Sequence, residues 1–151
     1  MDASDSMTRN VVVVPPELSL HLAWAIMQRR RVRHLPVVQA GALVGILSDR
    51  DILLRAQIDA SGLIEVPPDP VALAMNSKVE TCTVDVAIGE LAGRMIELKI
   101  DAIPVVGEAR HLIGLVTSTD LLRLLRDQTP PTRRLPFDYR VYQGEVVEGL
   151  A

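Results

Sequence analysis

The chain has 151 residues, of which 48% are hydrophobic and 3% aromatic, and its formal net charge at pH 7 is −3. This length and hydrophobicity suffice for one sizeable core, or for two small units that share a core. The charge argues against a global attraction to nucleic acid or to an anionic membrane. The scarcity of aromatic side chains argues against base stacking as the main activity.

Targeting, metal and disulfide patterns are missing from the sequence. Residues 1–10 lack the basic and apolar regions of a signal peptide, and no run approaches the roughly 18 apolar residues of a membrane span, so we expect a cytoplasmic location. Cys82 is the single cysteine, which excludes an intrachain disulfide, and it is expected to be a buried small hydrophobe. The three histidines have no metal-ligand spacing, and no metal site is predicted.

The first half of the sequence predicts a strand, a helix, two strands and a second helix. The first helix follows the N-cap Ser19, carries an apolar stripe from Leu20 to Met27 and ends at the cationic run 29–33. The other predicted elements are strands at 11–14, 35–38 and 43–47, with a turn at 40–41 between the last two, and a helix at 49–56.

The second half of the sequence predicts the same five elements in the same order. The strands are placed at 80–84, 103–106 and 112–117, and the helices at the apolar stripe 88–95 and at 118–126. Pro104 follows Pro36 by 68 residues (104 − 36), and Asp120 follows Asp51 by 69 (120 − 51). A constant offset of this kind indicates a duplicated supersecondary unit.

The predicted fold class is therefore α/β (α+β), with two tandem strand-helix-strand-strand-helix repeats related by pseudo-two-fold symmetry. Repeat 1 is placed at 1–58, a Gly- and Pro-rich linker at 59–70, repeat 2 at 71–126 and a C-terminal tail at 127–151. Because the tail holds the sole Phe and both Tyr, we expect it to dock on its own domain or on a second subunit.

In both repeats a strand runs into a Ser/Thr-x-x-Asp sequence at a helix start, Ser48 to Asp51 and Thr117 to Asp120. One interpretation is a capping box, in which the hydroxyl and the carboxylate only satisfy backbone N–H groups. The other is a nucleotide site, in which the hydroxyl contacts a phosphate and the carboxylate binds a ribose diol. Taken alone, the pattern favours the capping box.

Longer motifs carry a resemblance to a known family. Arg33-His34-Leu35-Pro36-Val37-Val38 and Gly45-Ile46-Leu47-Ser48-Asp49-Arg50-Asp51 return as 101–106 and 114–120. Over roughly residues 5 to 126 the chain resembles tandem cystathionine β-synthase (CBS) domains, known as a Bateman module. The resemblance implies two clefts between the repeats that bind adenosine ligands such as AMP, ADP, ATP or S-adenosylmethionine, with no cofactor required.

The resemblance also implies which residues bind the nucleotide. Thr117 and Asp120 are paired with Val12, Val32 and Arg33, and Ser48 and Asp51 with Glu80, Ile100 and Asp101. The candidate site residues also include Arg50, His34, Pro36 and Pro104.

The repeats differ where phosphate would lie. Arg33-His34 in repeat 1 corresponds to Asp101-Ala102 in repeat 2, and Arg50 corresponds to Thr119. A guanidinium can clamp a phosphate, whereas a carboxylate repels it. The cleft that contains Asp51 combines Arg50 with Asp101, so the sequence leaves open which of the two clefts binds better. One ligand per chain is as reasonable as two.

The leading functional hypothesis is a stand-alone regulatory protein that senses an adenosine ligand and signals to an unidentified partner. No catalytic residues are predicted, because no nucleophile-base-acid set and no phosphate-binding Gly-rich loop occurs. The alternative is a scaffold with vacant clefts. A weaker third hypothesis is nucleic-acid binding through Arg29 to Arg33 and Arg133-Arg134. A homodimer is expected because the helical faces carry much apolar surface.

Overall fold

The computed structural model describes residues 1–128. From residue 129 onward, the tail that is predicted to dock on its own domain or on a second subunit lies outside the described residues. The helices are α1 (Ala3–Ser6), α2 (Leu20–Arg30), α3 (Asp49–Leu53), α4 (Ile88–Leu98) and α5 (Ser118–Gln128). The strands are β1 (His34–Gln39), β2 (Ala42–Ser48), β3 (Gln57–Ile58), β4 (Ile64–Glu65), β5 (Ala102–Val106) and β6 (Leu112–Thr117).

Each repeat is built on an antiparallel hairpin, β1–β2 in repeat 1 and β5–β6 in repeat 2. Both hairpins have a register shift at the same place, after Val37 and after Val105, which confirms the pseudo-symmetric mixed helix and strand fold. The predicted turn at Ala40-Gly41 has positive φ at both residues, 49° and 79°. Two positive φ values match the twist of a tight hairpin turn.

The α2 helix begins and ends close to where the sequence predicts. Ser19 is the N-cap of α2, since its side chain accepts a hydrogen bond from the backbone N of Leu22 at 3.3 Å. The side chains of Leu20, Ala23 and Met27 are buried, so the apolar stripe faces the core. The chain that leaves α2 thereby leads directly into β1.

The predicted strands at 11–14 and 80–84 are wrong. Each segment forms a single parallel bridge, Val14 to Val37 and Cys82 to Val105. The N–H of Val14 donates to the carbonyl of Pro36 at 3.1 Å, and the carbonyl of Val14 accepts from Val38 at 3.0 Å. After Val14 the chain enters Pro15-Pro16, which has no N–H to continue a ladder.

The predicted helix at 49–56 is also too long, and the linker is more ordered than its composition suggests. The α3 helix ends at Leu53, and the chain then forms the short hairpin β3–β4, in which Ile58 pairs with Ile64. Val66 is buried in the core of repeat 1, so this part of the linker belongs to a core and does not lie on the surface.

The two cores exchange their leading segments. Ala3 and Met7, which belong to repeat 1 in sequence, are buried in the core of repeat 2. Val71 is buried in the core of repeat 1, and Met75 packs against it, although both residues belong to repeat 2 in sequence. The repeats are therefore joined by reciprocal packing as well as by the linker.

Backbone hydrogen bonds fix this exchange. Thr8 bonds in both directions with Leu115 of β6, at 2.8 and 3.0 Å, and Asn76 bonds in both directions with Ile46 of β2, at 2.9 and 3.0 Å. Each leading segment thus runs beside the strand of the other repeat that ends in the Ser/Thr-x-x-Asp sequence. Residues from both repeats consequently meet at the ends of β2 and β6.

Among the helices of residues 1–128, none has the length and apolar character needed to cross a membrane. The same residues contain no group of three or more His, Cys, Asp or Glu side chains placed to hold a metal ion.

Candidate functional site

Two cavities lie between the repeats, one at each Ser/Thr-x-x-Asp sequence. Cleft A, of about 460 Å³, is lined by Ser48, Arg50 and Asp51 of repeat 1 and by residues 99–102 of repeat 2. Cleft B, of about 230 Å³, is lined by residues 117–120 of repeat 2 and by residues 31–34 of repeat 1. Each cleft therefore combines the helix start of one repeat with the helix end of the other.

The helix starts form capping boxes in both clefts. In cleft A the backbone N of Asp51 donates to the Oγ of Ser48 at 3.1 Å, and the backbone N of Ser48 donates to the Oδ2 of Asp51 at 2.8 Å. In cleft B the backbone N of Thr117 donates to the Oδ2 of Asp120 at 2.8 Å. These bonds fix both carboxylates at the cavity walls, so the capping and ligand-binding interpretations are compatible.

The two carboxylates differ in how many donors already reach them. Among the described residues, the Oδ1 of Asp51 accepts no hydrogen bond. Asp120 accepts a second bond at Oδ2 from the hydroxyl of Thr117, at 2.8 Å, and a bond at Oδ1 from Arg123, at 3.4 Å. An ionised carboxylate has about four acceptor positions, so Asp51 retains more capacity for a diol.

The opposite walls begin at equivalent left-handed residues. Arg31 has φ 54° and ψ 44° and ends α2, while Lys99 has φ 54° and ψ 48° and ends α4. These residues turn the chain sharply, so that 32–33 enter cleft B and 100–101 enter cleft A. Positive φ in a non-glycine residue is uncommon, and it recurs here at the same position of both repeats.

Arg33, His34 and Asp101 line both clefts and separate them. The Nε of Arg33 lies 3.2 Å from the Oδ2 of Asp49, an ion pair on the cleft A side. Burial lowers the pKa of His34, against the opposing effects of Asp101, Asp49 and Asp51, while the Arg33 charge lowers it further. The imidazole is therefore neutral at pH 7, and the cationic charge of this wall comes from Arg33.

Three sequence-predicted site residues are not among the residues that line the clefts. Pro36 and Pro104 lie within β1 and β5, where their carbonyls accept hydrogen bonds from Val14 and Cys82. Glu80 pairs with Arg94 at 3.4 Å. The remaining predicted residues line one cleft or both: Ser48, Arg50, Asp51, Ile100 and Asp101 in cleft A, Val12, Val32, Thr117, Asp120 and again Asp101 in cleft B, and Arg33 and His34 in both.

Sequence reasoning missed several lining residues that occupy equivalent positions in the two repeats. Asn76 lines cleft A and Thr8 lines cleft B, at equivalent positions 68 residues apart (76 − 8). The same offset relates Lys99 of cleft A to Arg31 of cleft B (99 − 31). No sequence signal marked Thr8 or Asn76, because their place in the clefts depends on the exchange of leading segments.

Cys82 does not line either cleft. It is buried in the core of repeat 2, and burial raises the pKa of its thiol to about 11. A thiol with this pKa is protonated at neutral pH and is a poor nucleophile. Cys82 thus packs as the small hydrophobe that the sequence predicts.

Cleft A offers chemical groups that a nucleoside ligand needs. Cleft A has the size of a small-molecule site, which is about 300 to 1,000 Å³. The carboxylate of Asp51 has free acceptor capacity for a ribose. Ile46 and Ile100 provide apolar side chains for a base, and Arg50 and Lys99 provide cations for an anionic group.

Comparison with known proteins is consistent with this geometry. The chain is 33% identical over 122 residues to a homoserine O-acetyltransferase of Methanosphaerula palustris, covering 80% of this chain and 23% of that protein. It is 29% identical over 117 residues to the CBS domain-containing protein YhcV of Bacillus subtilis, covering 78% of this chain and 80% of YhcV. The chain thus spans about a quarter of the first curated relatives it matches, which are acetyltransferases.

A solved structure shares the whole architecture. The CBS domain pair of protein MJ0100, in complex with 5′-methylthioadenosine and S-adenosyl-L-methionine, superposes with a TM-score of 0.74 at 25% sequence identity. The match covers 85% of this chain and 98% of that one. The CBS domain family model matches residues 3–57 and 71–127. Two matched segments, related by pseudo-two-fold symmetry and enclosing two clefts, show that this chain belongs to the CBS domain family as a tandem pair.

Proposed function

We propose that this chain is a non-catalytic regulatory module that binds an adenosine-containing ligand in cleft A and signals its occupancy to a partner protein. The observation that carries the proposal is Asp51. Its Oδ2 is held by the backbone of Ser48, its Oδ1 accepts no bond from the described residues, and Asp51 lines a cavity of about 460 Å³. A fixed carboxylate with a vacant oxygen is suited to the two hydroxyls of a ribose.

The charges of cleft A indicate which adenosine ligand it prefers. Three cations, Arg33, Arg50 and Lys99, are matched by the three carboxylates Asp49, Asp51 and Asp101. A triphosphate would leave several negative charges uncompensated in this lining, because each nearby carboxylate repels it. We expect AMP or S-adenosylmethionine to bind more tightly than ADP or ATP.

A ligand in cleft A would contact both repeats, which gives a route for signalling. The ligand would join the start of α3 in repeat 1 to residues 99–102 of repeat 2. A ligand that binds one relative orientation of the repeats better than another shifts the population toward that orientation. A partner protein that distinguishes these orientations would then respond to the ligand.

The test is calorimetry of the full chain with AMP, ATP and S-adenosylmethionine, compared with Asp51→Ala. Loss of two hydrogen bonds to a charged group should weaken the preferred ligand about 100-fold, at about 1.5 kcal/mol for each bond. Asp120→Ala is the matched control, because it removes the equivalent capping box of cleft B. Equal losses in both variants, or no binding of any adenosine ligand, would contradict the proposal. The second result would favour the scaffold function with vacant clefts.

We further propose that the module is a homodimer through an apolar groove between α4 and α5. The groove, of about 460 Å³, is lined almost entirely by apolar side chains, among which Ile96 and Leu122 are exposed. A second copy related by a two-fold axis can place Leu122 of each chain against the groove of the other, an isologous contact. Burying these side chains from water would stabilise the pair.

Ile96→Glu combined with Leu122→Glu should therefore raise the dimer dissociation constant at least about 100-fold, because each charge must be buried without a partner. Sedimentation equilibrium measures this constant. Leu63→Glu is the control, since Leu63 is equally apolar and exposed but lies beside the β3–β4 hairpin. A wild-type chain that sediments as a monomer, or a control variant that dissociates equally, would argue against this interface.

A further inference from the structure

One further difference between the two clefts lies on the helix that carries each aspartate. Arg123 follows Asp120 by three residues on α5, and the residue at the same position after Asp51 is Leu54. The offset between Leu54 and Arg123 is 69 (123 − 54), the same as that between the two aspartates. Leu54 is the C-cap of α3 and has helical φ and ψ, so Leu54 and Arg123 both lie five residues after the first residue of their helix.

Arg123 acts on the carboxylate of cleft B. Its Nη1 donates to the Oδ1 of Asp120 at 3.4 Å, and the side chain lines the cleft. Together with the two donors of Thr117 at Oδ2, this bond leaves Asp120 with little acceptor capacity. Asp120 is only 8% exposed. Leu54, at the position equivalent to Arg123, is 79% exposed and forms no polar contact with Asp51.

The cavity volumes agree with this difference. Cleft B has about half the volume of cleft A, 230 against 460 Å³, and lies below the range of about 300 to 1,000 Å³ typical of small-molecule sites. To seat a ribose on Asp120, Arg123 would have to release Oδ1 and leave the cavity. Its side chain is 63% exposed, so this movement is sterically open and opposed mainly by loss of the ion pair.

We infer that Arg123 is the residue that limits the chain to one tightly bound adenosine ligand, by occupying the ribose-binding carboxylate of cleft B. This inference rests on the proposed function and adds its stoichiometry. Competition from one guanidinium is expected to weaken cleft B about tenfold relative to cleft A, rather than to abolish binding there. Leucine at the equivalent position leaves cleft A open.

The probe is 5′-methylthioadenosine, which carries the ribose diol but no phosphate. Removing Arg123 also removes a cation that would attract a phosphate, and an uncharged ligand separates these two effects. Calorimetry of the full chain should give one tight equivalent and one about tenfold weaker for the wild type, and Asp51→Ala should lose the tight one. Arg123→Leu should raise the affinity of the second equivalent to that of the first, and Arg123→Leu/Asp120→Ala should lose this second equivalent.

The reciprocal variant makes the test symmetric. Leu54→Arg places a guanidinium three residues after Asp51 at an exposed position, so it should weaken binding in cleft A about tenfold. Thermal melting of Arg123→Leu and Leu54→Arg should show that both variants are folded. Two equivalents of similar affinity in the wild type, or a second equivalent that is no tighter in Arg123→Leu than in the wild type, would overturn the role of Arg123 alone. No binding of any adenosine ligand to any variant would overturn the proposed function together with it.

Discussion

Met7→Ala is expected to destabilise repeat 2, although Met7 belongs to repeat 1 in the sequence. The side chain is buried in the core of repeat 2, and the next residue, Thr8, is hydrogen-bonded in both directions to Leu115. Replacing a buried methionine by alanine removes its contacts and leaves a cavity, which costs about 2 to 5 kcal/mol of unfolding free energy. Chemical denaturation measures the loss.

Native-state hydrogen exchange tells where the loss occurs. In Met7→Ala the amides of β5 and β6 should exchange faster before those of β1 and β2 do, because local openings report the stability of the unit that contains them. Met75→Ala is the matched variant, since Met75 packs against the core of repeat 1, and its effect should begin in β1 and β2. Met75 is half-buried, so its loss should be smaller. Equal acceleration in both hairpins would refute the reciprocal packing.

Local patterns in the sequence are enough to predict the elements that such patterns govern. The apolar stripe of α2, its N-cap Ser19 and the Ser/Thr-x-x-Asp starts of α3 and α5 depend on residues within one or two turns, and the structure has them where predicted. The strand at 11–14 failed because β-branched residues favour a strand only where a neighbouring strand is available. There Val14 alone reaches β1.

The clefts show the same division between local and long-range information. The positions of Asp51 and Asp120 follow from the repeat, and their walls at residues 32–33 and 100–101 follow from the family resemblance. The donors that reach each carboxylate could not be predicted, because the bond from Arg123 to Asp120 depends on side-chain geometry that the motif does not encode. Asn76 and Thr8 enter the clefts only through the exchange of leading segments.

Gly114→Val is expected to lower the unfolding free energy by at least about 2 kcal/mol, because the added side chain would overpack the point where the leading segment crosses β6. A Cβ at Gly114 would lie 2.7 Å from the Sδ of Met7 and 3.0 Å from the carbonyl oxygen of Thr8. The methionine can move, but the carbonyl belongs to a backbone that is bonded to Leu115 and cannot withdraw without breaking those bonds. Chemical denaturation should therefore show a loss in the second repeat.

Gly45→Val extends this argument to the ligand. A Cβ at Gly45 would lie 2.5 Å from the Sδ of Met75 and 3.2 Å from the carbonyl oxygen of Asn76, which lines cleft A. Displacing Asn76 should weaken adenosine binding in cleft A, whereas Gly114→Val, which displaces Thr8 beside cleft B, should affect it less.

Gly93→Ala is the control for both variants, since a Cβ in that part of α4 meets no atom within 4 Å. Alanine in a helix should stabilise the fold by about 0.5 to 1 kcal/mol relative to glycine, and it should leave ligand affinity unchanged. Denaturation of these three variants measures the effect on stability, and calorimetry of the same variants measures the effect on ligand affinity. Unaltered stability in Gly114→Val would mean that Thr8 does not pack on β6 in solution, and the clefts would then lack the wall that the leading segments supply.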